Sequence, residues 1–254
     1  MKLGNRKIKK SFYFFLLSLT MLVFIAFVER RGMERNVHKL EIFIQGMPDV
    51  HFVDEEAIAR QLENEFPVLK PGSSLQGISL NSIEKKVEKH PFVKQAEVFK
   101  DLKGRVVVKI EQHRPVARII RPRAAHGYIS AGGEILPTSR NYTSRVLTLQ
   151  GPMAEELLSL ENLSGDHRDL LELILFIDGD EFWRAQIAGL EVDRNKNIKM
   201  YQQVGQQVIE FGKPVEIKEK FEKIDLFYSE ILPVKGWDAY KRVNVKYNGQ
   251  IICE

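Results

Sequence analysis

VVVKIEQHRPVARII, residues 106–120, decides how this chain divides. Its first half alternates. Val106, Val108 and Ile110 share one parity, and Val107, Lys109 and Glu111 share the other, the pattern of a half-buried strand. Arg114-Pro115 then interrupts, and Val116-Ala117-Arg118-Ile119 resumes in extended style. Proline has no N–H for a ladder and pushes its neighbour toward extended geometry. A strand that meets a proline and continues is read as the passage between two domains, with an edge strand that merely bends as the alternative.

Upstream, the pattern is β-α-α-β-β. HKLEIFIQG (38–46) reads as a strand with Leu40, Ile42 and Ile44 on one face, ended by Gly46 and Pro48. Asp54 is placed to cap a helix whose Ile58, Leu62 and Phe66 form one stripe before Pro67. KPGSSLQG (70–77) reads as a loop. Asn81 with Glu84 suggests a capping box for a second helix carrying Ile83 and Val87 and ended by Pro91. QAEVFK (95–100) and residues 105–112 then form a hairpin around Lys103-Gly104. Three strands backed by two helices bury one face, enough for a small domain.

Downstream, GYIS, GGEIL, RVLTLQG and QIAGLEV are short strands between glycine-rich turns. DLLELILFI (169–177) and EIKEKFEKIDLFYSEIL (216–232) are helices; the latter aligns Ile217, Phe221, Ile224, Tyr228 and Ile231. In the closing KRVNVKYNGQIICE, Val243, Val245, Tyr247, Ile251 and Cys253 share one parity and Arg242, Asn244, Lys246, Asn248 and Gln250 the other. That predicts a last strand with one packed and one wet face. No internal repeat is present.

The N-terminus differs from the rest. SFYFFLLSLTMLVFIAFV (11–28) is uncharged, at the short end of the length that spans a bilayer, and lacks the small-residue cleavage site of a signal peptide. Lys2, Arg6, Lys7, Lys9 and Lys10 precede it without an acid. Five cations outweigh Arg30 and Arg31, which predicts a cytoplasmic N-terminus and residues 29–254 outside the cytoplasm. The same five cations exceed the +4 of the whole chain, so the remainder sums to about −1. The pI of about 9.0 therefore belongs to the tail, and nucleic-acid binding by the folded part is not expected. The lone Cys253 excludes an intramolecular disulfide and a thiolate zinc cage from one chain.

Catalytic patterns are sparse. His38, His51, His90, His113, His126 and His167 are scattered, with no zinc-protease helix, nucleophile elbow or P-loop. Asp166-His167-Asp169 reads as a helix start. The best enzyme-like signal is Asp178-Gly179-Asp180, which after an apolar run could hold a metal ion and a nucleotide-sugar phosphate in a membrane-anchored type II glycosyltransferase. The sequons at Asn141 and Asn162 would suit such a setting. The helical spacing of Leu170, Leu171, Ile174 and Ile177 makes DGD a helix end instead, with Gly179 as its cap.

Taken in order, LEIFIQG, IEKKVEKHPFVKQAEVFK, VVVKIEQHRPVARI, GYISAGGEILP, VLTLQG, VIEFG and VNVKYNGQII resemble the bacterial cell-division family FtsQ/DivIB over nearly the whole chain. Two departures stand out: Asp101-Leu102-Lys103-Gly104 lies where many relatives carry Trp-Pro, and Asn244 where aspartate is common. The resemblance implies an α+β protein with a cytoplasmic tail (1–10), a single N-terminal transmembrane helix (11–28), a linker (29–37), a POTRA-type β-α-α-β-β domain (38–114), and a β-rich domain (115–254) with flanking helices and a C-terminal edge strand. It implies a non-enzymatic inner-membrane scaffold at the septum, its folded domains periplasmic, without cofactor, metal or catalytic residues. The implied partners are the coiled-coil proteins FtsB and FtsL, other division proteins of the membrane and, through them, the septal peptidoglycan synthase. The partner-binding residues expected from it are Val245, Lys246, Tyr247, Asn248, Gly249 and Gln250, an exposed strand being a template for a partner's backbone. The same parity also fits a plain core role for Val245 and Tyr247. A POTRA module of an outer-membrane assembly or secretion system is the remaining reading. It would call for several such repeats or a run of barrel strands.

Overall fold

The computed structural model describes residues 10–33, 36–46, 52–74, 79–140 and 142–254. The basic tail up to Lys9, part of the 29–37 linker, Pro48, His51, the end of the 70–77 loop and Asn141 of the first sequon lie outside the described residues. By internal contacts the chain divides into two units. One comprises Met1–Gln45 and Val53–Glu111, the other Gly46–Phe52 and Gln112–Glu254.

The first unit opens with helix α1, Lys10–Met33. Its described side chains, from Phe12 to Ala26, are exposed all round and almost all apolar. Among the described residues no helix is long and apolar enough to cross a membrane. The expected transmembrane helix is therefore not supported by the described side chains, which are fewer than the roughly 20 residues a span needs.

After it come strand β1 (Lys39–Gln45), helix α2 (Glu55–Glu65), helix α3 (Leu80–Val87) and strands β2 (Val93–Lys100) and β3 (Arg105–Gln112). The sheet order is β1-β3-β2, with β1 parallel to β3. Asp54 caps α2, its Oδ1 accepting from Glu56 N at 2.9 Å. Ile58 and Leu62 are buried on its inner stripe, while Phe66 is half-buried at its end. The cap of α3 differs from expectation: it is Ser79, whose Oγ accepts from Ser82 N at 3.4 Å. Asn81 lies inside the helix, and Glu84 is turned to another use described below. Ile83, Val87, Val106, Val108 and Ile110 are the buried centre of this unit, each burial contributing about 1.5–3 kcal/mol.

Strand β4 (Pro115–Ile119) belongs to a different sheet from β3, with Pro115 as its first residue. That is a position where a missing N–H is tolerated inside a sheet. It is followed by β5 (Gly127–Ser130), β6 (Ile135–Leu136), β7 (Leu147–Gln150), α4 (Pro152–Leu157), α5 (Arg168–Gly179), α6 (Glu181–Gln186), β8 (Ile187–Val192), β9 (Ile198–Gln202) and β10 (Val208–Gly212). Helix α7 (Ile217–Leu226) continues through a π-helical turn at Phe227–Ile231 into α8 (Leu232–Lys235). Strands β11 (Arg242–Asn244) and β12 (Ile252–Cys253) close the chain.

These nine strands form one mixed sheet in the order β12-β11-β10-β9-β8-β7-β4-β5-β6. The parallel neighbours β4 with β7, β7 with β8 and β10 with β11 are joined by crossovers. The last two crossovers carry the helices that bury the sheet. Leu170, Leu173, Ile174 and Ile177 of α5 and Phe221 and Ile224 of α7 join Leu149, Leu190, Met200, Ile209 and Val243 in one core. Phe221 packs its ring 4.8 Å from Trp183 and 5.6 Å from Phe211. Gly151 makes the turn from β7 into α4 with φ 105, and a Cβ there would lie 2.5 Å from Val192 O.

Candidate partner-binding edge

The end of the chain is not the single strand that its parity predicts. Residues 245–251 form a connection, and β12 folds back antiparallel on β11, with Val243 opposite Cys253 and Asn244 opposite Ile252. The cause is Asn248-Gly249, a dipeptide suited to turns that need positive φ; Gly249 has φ 68. A parity counted across such a turn loses its meaning. Val243 and Val245 are fully buried, whereas Tyr247 is 52% exposed and Ile251 and Cys253 are half-buried.

Of the six residues expected to bind a partner, Val245 is therefore core, its N–H donating to Glu210 O at 3.1 Å. Lys246, Tyr247, Asn248, Gly249 and Gln250 are exposed in the connection. Lys246 ion-pairs with Glu210 at 2.8 Å, and its N–H bonds Asn244 Oδ1 at 3.0 Å. The Lys246 hydrogen bond holds the Glu210 carboxyl below the usual glutamate range, against burial, which pushes it up; the charges of Lys246, Arg242 and Lys199 add to the lowering. From α7, Lys223 Nζ donates to Tyr247 O at 2.8 Å and Val245 O at 3.2 Å. The connection is thus pinned at both sides while its tip faces solvent.

The outermost strand is β12. Arg242 and Glu254 exchange both backbone bonds at 2.9 Å, and the side chain of Arg242 grips that of Glu254. In an antiparallel ladder the next pair, Val243 with Cys253, is then the wide one. The N–H and C=O of Cys253 consequently point away from β11, to the open side. The Cys253 thiol is pushed up by burial, which makes it a small hydrophobe rather than a reactive thiolate.

The outer strands β2 and β6 have backbone donors already engaged. On β2, Glu84 Oε1 accepts from Val98 N at 2.9 Å and Glu88 Oε1 from Ala96 N at 3.4 Å. Two helix carboxylates thus occupy donors that a visiting strand would need. On β6, Ile135 N donates to Glu161 O at 2.9 Å.

The carboxylates of the D-x-D reading are committed elsewhere. Asp178 Oδ2 accepts from Arg114 Nη1 at 2.5 Å, and Asp180 caps α6 by accepting from Trp183 N at 3.0 Å. Asp166 and His167 form a 3₁₀ turn that enters α5. Among the described residues no three histidine, cysteine or carboxylate side chains are grouped to hold a metal ion.

The architecture is a small β-α-α-β-β unit followed by a large mixed sheet whose final strand, β12, lies at its edge. Residues 35–111 match the family model of a POTRA-like domain, and residues 114–254 match that of FtsQ/DivIB, C-terminal related. The second match spans more than half of the chain, which belongs to the FtsQ/DivIB family. Membership assigns it a scaffold role in cell division. No curated protein matches the chain.

Proposed function

We propose that the protein is a non-enzymatic bitopic scaffold of the division machinery. Residues 11–28 cross the inner membrane, with the N-terminus cytoplasmic and both units periplasmic at the septum. An FtsB/FtsL-type coiled-coil partner adds a strand to the open side of β12, which links the scaffold to other division proteins and to septal peptidoglycan synthesis. The anchor is supported by α1, apolar on every described side, since a helix without a polar face needs an apolar surround. The binding mode is supported chiefly by the outward N–H and C=O of Cys253, whereas outer backbone donors of β2 and β6 are already engaged. Tyr247 and Gln250, exposed beside that edge, would supply side-chain contacts.

The test is recovery of single-span partners from membranes by the full chain, by Cys253→Pro and by Tyr247→Glu. Cys253→Pro removes the outward donor and is expected to lose the partner. Equal recovery by all three keeps the scaffold and moves the site. Failure of the unaltered chain to recover any membrane partner overturns the reading.

A further inference from the structure

The turn between β2 and β3 is shaped unlike a solvated turn. Leu102, at its tip, is 88% exposed, the most exposed large apolar side chain among the described residues. It sits between Lys100 and Lys103. The turn beneath it is rigid: Asp101 Oδ1 accepts from Lys103 N at 2.9 Å and Arg105 N at 2.8 Å, and Asp101 Oδ2 accepts from Arg105 Nε at 2.6 Å. The apolar tip is held outward by this network rather than left to fold back.

Its place in the unit matters as much. His38 N donates to Gly104 O at 2.9 Å, and Lys39 stands opposite Arg105. The turn therefore lies at the end of the sheet where the chain arrives from α1. Four residues lie between Met33, the end of α1, and His38, at most about 18 Å of extended chain. Lys39, Lys100, Lys103 and Arg105 at this end outnumber Asp101 and Glu41, which pair with Arg105 at 2.6 and 3.0 Å, Glu41 also reaching Lys39 at 3.7 Å. An apolar tip with Lys100 and Lys103 on either side of it in sequence, tethered next to a bilayer, complements anionic headgroups over an acyl layer.

We infer that the Asp101–Gly104 turn is a second membrane contact, Leu102 entering the interface of an anionic leaflet and Lys100 and Lys103 holding its headgroups. It rests on the reading of α1 as a membrane anchor. The contact fixes which face of the first unit looks toward the lipid and which toward partners.

The experiment uses the full chain with Cys253→Ser, carrying one cysteine at a time for an environment-sensitive fluorophore: Leu102→Cys, Gln95→Cys at the far end of β2, or Phe15→Cys in α1. Each is reconstituted in nanodiscs rich in phosphatidylglycerol or made of phosphatidylcholine alone, with headgroup-nitroxide lipids as quencher. Quenching is expected at 15 in both lipids, at 102 in the anionic lipid, and not at 95, roughly 20 Å away along the strand. Lys100→Glu with Lys103→Glu is expected to lower the docked population by about 25-fold or more, each cation near an anionic surface contributing roughly a factor of five. Quenching at 15 but not at 102 overturns the contact and leaves the anchor standing. Absence of quenching at 15 overturns the anchor itself. Quenching at 102 that survives the double charge reversal and is equal in both lipids overturns the headgroup assignment.

Discussion

Two prolines, eight residues apart in sequence, separate the core from the edge of the last hairpin. Val245→Pro removes the N–H that bonds Glu210 O at 3.1 Å and forces a ring into a site with no exposure. An orphaned buried carbonyl costs about 1–3 kcal/mol, and the misfit of the ring a similar amount. The sum, roughly 2–6 kcal/mol, lowers Tm by about 6–18 °C for a domain of this size. Cys253→Pro loses no bond of the sheet, because the Val243–Cys253 pair is the wide one, and its half-buried side chain is replaced by another apolar group. Its stability change is expected within about 1 kcal/mol. Thermal unfolding of the detergent-solubilised full chain, followed by Trp183 and Trp237 fluorescence, measures both, alongside partner recovery. Val245→Pro should lose stability and binding together, and Cys253→Pro binding alone. If Cys253→Pro unfolds as readily as Val245→Pro, the Cys253 N–H is bonded within the sheet and the open edge does not exist.

Three further outcomes follow from the second unit. Gly151→Ala places a Cβ 2.5 Å from Val192 O at a positive φ and should cost about 2–4 kcal/mol; an unchanged melting curve would contradict the close approach of the β7–α4 turn to β8. Lys223→Met removes the two bonds to Tyr247 O and Val245 O, so hydrogen exchange of residues 246–250 should quicken while the global melt drops by no more than about 2 kcal/mol; unchanged exchange would show that Lys223 does not hold the connection. The Glu210 carboxyl titrates below its ordinary range in the folded chain, first because of Lys246. Its contribution is complete above the ordinary glutamate range and fades as pH falls through the lowered value. Lys246→Met should therefore flatten the acid arm of a Tm–pH profile below the ordinary glutamate range; an acid arm as steep as in the unaltered chain would refute the pairing.

The first unit was legible in the sequence because its signals are local. Asp54 caps where a carboxylate before an apolar stripe should, and Ile58 and Leu62 fall on the core at helical spacing. The alternation of residues 106–110 marks a real strand, and Pro115 stands where one sheet ends and another begins. The second cap misled because three residues within one turn, Ser79, Asn81 and Ser82, are all competent caps, and which one acts depends on where the helix starts. Glu84 fits a capping box by spacing, yet its carboxylate spans to Val98 N, a partner fourteen residues on that no local rule supplies. Strand β9 carries its alternation in only five residues, Ile198 and Met200 inward and Lys199 outward, too short to stand out before its neighbours are known.

The last hairpin shows the limit most sharply. Its residues were legible as partly apolar and extended, but the decisive fact is a reversal at Asn248-Gly249. Asn-Gly between extended runs is a strong hairpin signal, and the regular parity of Val243, Val245, Tyr247, Ile251 and Cys253 concealed it. The reversal moves the open edge from residues 245–250 to Ile252–Cys253. It also separates two properties that a single strand would have merged. Val245 is held by β10 and cannot be offered to a partner, whereas Tyr247 is held only through its carbonyl by Lys223 and keeps its ring outside. On the proposed reading, a partner strand would pair with the backbone of β12, and the exposed connection would supply selectivity. On this arrangement Tyr247→Ala should weaken a partner without disturbing the fold, since a half-exposed side chain contributes little to stability. A stability loss comparable to that of a core truncation at Val245 would mean that Tyr247 is structural and that selectivity lies elsewhere.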